Sequence, residues 1–194
     1  MAITKNDSPA LILIDIQKAF DDEEYWGGSR NNPEAEGNAK KLLDYWRTNN
    51  LPLFHIQHIS VDPDAKHGIN NPGHAFKDMV KPFPGEVIIQ KSVNSSFIGT
   101  DLKEQLDQKG IHTVVIVGLT TDHCVSTTTR MSGNFGYDTY IVADATATFG
   151  KIGIHGEHYD SETMHLTALA QLNEEFATVV YTQGLIDSLE SRND

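Results

Sequence analysis

Unbroken apolar blocks recur along this chain, and between them apolar residues fall at helical spacing. Ala10-Leu11-Ile12-Leu13-Ile14-Asp15 is continuously apolar up to its last residue, the pattern of a strand buried on both faces with Asp15 at its carboxyl end. Pro33 to Asn50 carries Ala35, Ala39, Leu42, Leu43 and Trp46 on one helical stripe, which Asn49-Asn50 ends. Leu53 to Ile59 and Glu86 to Gln90 read as further strands, the second with Lys91 just beyond it. Thr100 is placed to cap a helix through Gln108 that Gly110 closes. Thr113 to Gly118 is the fourth strand, Asp122 to Asn134 a helix, and Tyr137 to Ala143 the fifth strand, with Asp144 at its end. A helical pattern over Asp160 to Phe176 and a short strand from Ala177 to Tyr181 complete the series. Strands alternating with helices in this way predict an α/β fold: an open three-layer, Rossmann-like arrangement with a mostly parallel sheet and helices on both faces. Residues 1–194 form one domain in this reading, without repeat or linker.

Only one stretch interrupts the alternation. Ser60 to Gly85 is long and rich in Pro, Gly, Asp and Asn, and connections of that length inside a compact domain usually serve as lids or binding loops. A net charge of -12 argues against nucleic acid or an anionic membrane as partner. Ala10 to Ile16, the most apolar run near the start, is too short to span a bilayer, so a cytoplasmic location is expected. With one cysteine no intramolecular disulfide can form; the thiol is either a small buried hydrophobe or reactive.

Ligands of open α/β sheets bind outside the carboxyl ends of the strands. That rule selects Asp15, Lys91 and the segment Leu119 to Cys124, which follow three different strands and bring an acid, a base and a thiol to one edge. Taken singly, Asp15 could serve a helix N-terminus, Lys91 could blunt an edge strand and Cys124 could be core. Together they suggest a nucleophile site. Cys124 falls in the predicted first turn of a helix, where unpaired N–H groups favour a thiolate, and an adjacent ammonium would add to the effect. Fast alkylation by iodoacetamide near neutral pH is expected on this basis.

Ile12-Leu13-Ile14-Asp15-Ile16-Gln17, Lys91 within Ile88 to Phe97, and Gly118-Leu119-Thr120-Thr121-Asp122-His123-Cys124-Val125 resemble the isochorismatase-like cysteine hydrolases. The resemblance runs from about residue 8 to 182 and includes Pro82 to Glu86, Phe97 to Leu102, Thr128-Thr129-Arg130 and Val142 to Ala145. It implies a six-stranded parallel sheet and a catalytic triad on Asp15, Lys91 and Cys124. It also implies a cis peptide between Leu119 and Thr120 and an oxyanion hole made by the N–H groups of Thr120 and Cys124. The activity it implies is that of the amidohydrolase branch: cleavage of a C–N bond in a small amide, carbamoyl, urea or lactam compound through a thioester, without cofactor. Isochorismatases proper typically lack the cysteine that this chain has.

Nicotinamidases of that family resemble one another in an Asp-x-His element that binds a divalent metal. The matching segment here, Phe54 to Ser60, lacks the aspartate. His55 and His58 are three apart on a strand and would point to opposite faces, so no metal is expected, although His67 and His74 lie nearby in the loop. Trp26, His58, Phe83, Phe97, His155 and Tyr159 are candidate pocket residues. An anionic substrate would need Lys91, Lys66 or Lys77. The resemblance further implies a homo-oligomer, dimer or tetramer, with neighbouring subunits closing the pocket. Competing readings are an enol-ether hydrolase of the isochorismatase type, a metal-assisted amidase, a silent oligomerisation scaffold, and a nucleotide module built on the glycine-rich Gly150 to Gly156. The spacing of those glycines is wrong for a dinucleotide fingerprint.

Overall fold

A computed structural model describes residues 3–191; positions 1–2 and 192–194 of the single domain expected from the sequence lie outside the described residues. Strands β1 (Ala10–Ile14), β2 (Leu53–His58), β3 (Val87–Lys91), β4 (Thr113–Leu119) and β5 (Asp138–Ala147) pair with β8 (Thr178–Val180) in one six-stranded sheet, ordered β3-β2-β1-β4-β5-β8. All of its pairs are parallel. A separate antiparallel hairpin is formed by β6 (Lys151–Ile152) and β7 (His158–Tyr159). The helices are a short α1 (Glu23–Trp26), α2 (Ala35–Thr48), α3 (Leu102–Gln108), α4 (Ser126–Asn134), α5 (Ser161–Leu172) and α6 (Thr182–Glu190).

Because successive strand residues point to opposite faces, the continuously apolar strands feed two cores. Ile12 and Ile14 of β1 pack with Leu102 and Leu106 of α3 and Leu169 and Leu172 of α5. Leu11 and Leu13 pack on the other face with Leu42, Leu43 and Trp46 of α2 and Leu185 and Leu189 of α6. Each fully buried Leu or Ile contributes about 1.5–3 kcal/mol relative to exposure, so the sheet is held by burial on both sides. This is the predicted three-layer architecture.

Several boundaries differ from the sequence reading. Lys91 is the last residue of β3 rather than the residue beyond it. β5 continues past Ala143 to Ala147 through a register shift against β4, which places Asp144 inside the strand, where its carboxylate accepts from the backbone N–H and hydroxyl of Thr182. Asp101, rather than Thr100, occupies the N-cap of α3. The stretch from Asp122 begins as a π-helical turn, Thr121–Val125, before α4. α5 stops at Leu172 instead of Phe176.

Chain order fixes where a ligand can enter. From β1 the chain builds outward through β2 to β3, then returns to lay β4 against the other side of β1. The connections therefore reverse between β1 and β4, opening a crevice beyond their carboxyl ends. Close approach of these strands depends on Gly118: a Cβ there would lie 2.0 Å from the carbonyl oxygen of Ile14, and its φ of 123° is one that side-chain-bearing residues rarely adopt. Gly118→Ala is therefore expected to lower the unfolding free energy by on the order of 3 kcal/mol, measured by urea titration. A loss within experimental error would show that β4 does not need this contact.

Candidate active site

Asp15 follows β1 with a left-handed φ of 51°, a conformation aspartate tolerates better than most residues. Its backbone N–H donates to Ile56 O at 3.1 Å, so the turn begins while the residue is still tied to β2. Gln17, fully buried, braces the same corner: its side-chain amide donates to His58 O and His74 O and accepts from His58 N. The long loop is thereby fastened to the ends of β1 and β2. Sequence reasoning passed over Gln17, since a polar residue after a strand gives no sign of being buried.

From β3, two strands away from β1, Lys91 reaches across. Its Nζ donates to Asp15 Oδ2 at 2.6 Å, to the carbonyl of Val93 at 3.2 Å, and to His58 Nδ1 at 3.3 Å. All three ammonium protons are thus directed at named partners, and both charged side chains are almost wholly buried, at 0% and 1% exposure. Since Nδ1 of His58 faces an ammonium, it is the acceptor nitrogen of a neutral ring; burial and then the Lys91 charge hold the His58 pKa below its ordinary value. The other Asp15 oxygen, Oδ1, is buried without a hydrogen-bond partner.

Cys124 sits in the π-helical turn after β4, and the peptide between Leu119 and Thr120 is cis. The turn is held from behind: Thr121 Oγ1 lies 2.9 Å from Nδ1 of the buried His165 on α5. Cys124 is buried, and its thiol pKa is pushed up to about 12, first by burial and next by the Asp15 charge, with Lys91 opposing. The expectation of a thiolate standing ready at a helix start is corrected. At neutral pH the sulfur beside the Asp15–Lys91 pair is a protonated thiol.

The carboxylate and the thiol, with Lys91 buried behind them, face a cavity of about 210 Å³ lined by Asp15, Phe20, Trp26, His58, His67, Asn94, Thr120, His123, Cys124 and Lys151. One wall is aromatic: Phe20 lies 4.8 Å from Trp26 and 4.9 Å from His67 between ring centroids. Of the six pocket candidates, Trp26 and His58 are there. Phe97 is instead core, packed on Phe135 and Tyr137. Phe83 is exposed under the Arg47 guanidinium, because Arg47 is drawn to Glu86 beside it. His155 and Tyr159 stand on the β6–β7 hairpin outside the cavity lining, where the His155 backbone N–H and the Tyr159 hydroxyl both donate to the Glu157 carboxylate. That hairpin is what the glycine-rich stretch forms, with no phosphate-binding turn between a strand and a helix. Nor do Lys66 and Lys77 reach the cavity: Lys66 pairs with Asp22, and Lys77 with Asp21 and Glu36. Lys151, on the same hairpin, supplies the cationic rim that the sequence reading sought elsewhere. A larger depression of about 780 Å³ lies over β3 and α3, away from the strand-end groups.

His55 and His58 do face opposite ways, His55 to Glu86 and His58 to Lys91. Ligand atoms of Asp15, His58 and Cys124 lie within 4.8 Å of one another, close enough for one cation. The Lys91 ammonium is already bonded to two of those three residues, so a metal would have to displace a buried positive charge. The donor set fits an ion poorly.

The Isochorismatase domain matches residues 9–184. The uncharacterized isochorismatase family protein YrdC of Bacillus subtilis is 52% identical over 93% of this chain and 96% of its own. A crystal structure of an isochorismatase-family protein from Chromobacterium violaceum superposes with a TM-score of 0.92 at 39% identity, covering 97% of both chains. More distantly, nicotinamidase 3 of Arabidopsis thaliana is 27% identical over 93% of this chain and 88% of its own. A family domain matched over residues 9–184, together with 52% identity to a relative across nearly the whole chain, shows that the chain belongs to the isochorismatase family of hydrolases.

Proposed function

We propose that this protein is a cysteine amidohydrolase that cleaves a C–N bond of a small amide, carbamoyl, urea or lactam compound through a thioester. The observation that carries this reading is Asp15: one oxygen is held by Lys91, the other is buried and unpartnered, and the carboxylate lies within 4.8 Å of the only thiol in the chain. A carboxylate so placed is a general base with one available lone-pair site.

With the thiol pKa near 12, the proton must leave sulfur as the S–C bond forms rather than beforehand. Asp15 Oδ1 takes it while Cys124 Sγ attacks the carbonyl carbon, and the carbonyl oxygen becomes an oxyanion met by the N–H groups of Thr120 and Cys124. Collapse breaks the C–N bond. The same carboxyl group gives its proton to the leaving nitrogen, yielding ammonia or an amine and the thioester. Water then enters, loses a proton to Asp15, and releases the acid, returning the proton to sulfur. Lys91 keeps the carboxylate in place throughout, and the small cavity limits the substrate to a small compound. A nicotinamidase among the relatives supports C–N chemistry on this scaffold.

No helix among the described residues is long and apolar enough to cross a membrane, and a cytoplasmic setting that keeps the thiol reduced belongs to the same reading. So does self-association: Ile152 and Ile154 are exposed on the hairpin that carries Lys151 to the cavity, a position a second copy could cover. Sedimentation is expected to give a dimer or tetramer; a fully active monomer would refute the assembly.

Cys124→Ala is expected to lower turnover of amide and carbamoyl substrates at least about a thousandfold without changing the circular dichroism spectrum. Efficient isochorismate hydrolysis by both wild type and this variant, with no C–N substrate turned over, would favour enol-ether chemistry instead. Alkylation of Cys124 by iodoacetamide is expected to be slow at pH 7 and to rise about tenfold per pH unit through pH 10, because the raised pKa leaves little thiolate. Asp15→Asn separates the two roles of the carboxylate. It removes the base, so hydrolysis should fall by about 10²–10⁴-fold, and it removes the negative charge beside the thiol, so alkylation at pH 8 should become faster. Slower alkylation in this variant would contradict the electrostatic assignment.

A further inference from the structure

Among the described residues, five buried side-chain polar atoms have no hydrogen-bond partner, and three of them belong to residues lining the one small cavity. The reaction above accounts for one: Asp15 Oδ1 takes the thiol proton, whereas Thr120 enters it through its backbone N–H and not its hydroxyl. Oγ1 of Thr120 and Nε2 of His67 are left over. A buried ring nitrogen without a partner is rare in a folded protein, and in a binding cavity the missing partner belongs to the ligand.

The loop holds His67 in place. Its backbone carbonyl accepts from Ser60 N at 3.2 Å and lies 3.4 Å from His74 Nδ1, and the residue is only 8% exposed. Its ring lies edge-on to Phe20 and inclined to Trp26, with centroids 4.9 and 5.5 Å away, and 5.2 Å from the His58 ring. Burial first, and with it the positive charge of Lys91, hold its pKa down at about 4, so near neutral pH it is an uncharged imidazole. An uncharged imidazole carries one ring proton, and on Nε2 that proton can be donated to an acceptor atom of the ligand. The volume of about 210 Å³ lies below the roughly 300 Å³ at which pockets for drug-sized ligands begin, leaving room for one small ring or conjugated group beside the amide.

We propose that His67 is a specificity-determining residue: its Nε2–H donates to an acceptor atom on a flat substrate group held against Phe20 and Trp26, away from the carbonyl that Cys124 attacks. This rests on the amidohydrolase reading for the position of the carbonyl, but its test does not require turnover. Nicotinamide, isonicotinamide and picolinamide carry an acceptor nitrogen at three ring positions, and benzamide, of the same shape, carries none. The readout is the concentration of each that halves the rate of Cys124 alkylation by iodoacetamide, followed by intact-protein mass spectrometry.

At least one pyridine amide is expected to protect wild type at a concentration about tenfold or more below that of benzamide. His67→Phe keeps a flat ring on Phe20 and Trp26 but has no donor; it should erase that advantage while leaving benzamide within about twofold. His67→Gln, which restores a donor, should recover part of it. If His67→Phe fails to fold by circular dichroism, His67→Leu carries the same comparison. Equal protection by all four compounds, protection by none, or an advantage that survives in the apolar variant would overturn the assignment. Protection in the expected pattern without release of ammonia would leave His67 standing and count against pyridine carboxamides as substrates; the same result with carbamoyl, urea and lactam compounds would sink the amidase reading.

Discussion

The arrangement of this site depends on one buried ion pair, Lys91 with Asp15 at 2.6 Å. Two charges removed from water are costly unless their remaining hydrogen-bonding capacity is met, and removing one partner of such a pair costs about 3–5 kcal/mol. The fold meets the ammonium's demand almost completely, with a carboxylate, a backbone carbonyl and a neutral imidazole. It does not meet the carboxylate's. Asp15 keeps one oxygen unsatisfied in the interior, and that oxygen is the free valence the chemistry requires. The pair also requires three strands to end together: β1 and β3 supply its members, and β2, between them, supplies His58.

The thiol shows how competing electrostatic effects are ranked. A helix start favours a thiolate by a modest amount at best, and its effect fades within the first turn. Burial and an anionic neighbour act in the opposite direction, and here they prevail, leaving the pKa near 12. Lys91 would favour the thiolate, but its charge is largely spent on Asp15. A site of this kind activates sulfur during attack, whereas a free cysteine thiolate would also be open to oxidation and adventitious electrophiles.

Much of the fold was legible because its strands are continuous apolar blocks. Ile12 and Leu13 declare burial on both faces whatever their neighbours are. Asp15, Lys91 and Cys124 could be selected because the ends of such blocks are where a parallel sheet places its ligands. The rest was hidden for physical reasons. The helix Thr182–Glu190 depends on a cap supplied by Asp144, 38 positions earlier, which no local pattern records. Phe97 and Phe20 are both buried aromatics; only the tertiary fold sends one to the core and the other to the cavity wall. Lys151 arrives on a two-residue strand too short to leave a periodic signal.

The residues that do the chemistry and those that shape the cavity come from different kinds of structure. Asp15, Lys91 and the Cys124 turn are set by strands whose positions are locked by two cores, so their distances are coupled to the stability of the whole domain. Phe20 and Trp26 come from a short turn and from α1, packed with Ala35, Leu119, Ala147 and Phe149, while His67 and Lys151 come from a loop and a hairpin. Substitution in those segments can reshape the cavity without moving the acid, the base or the thiol. One sheet can in this way keep its strand-end groups fixed while the segments around the cavity vary, so a change of ligand falls to the loop side chains.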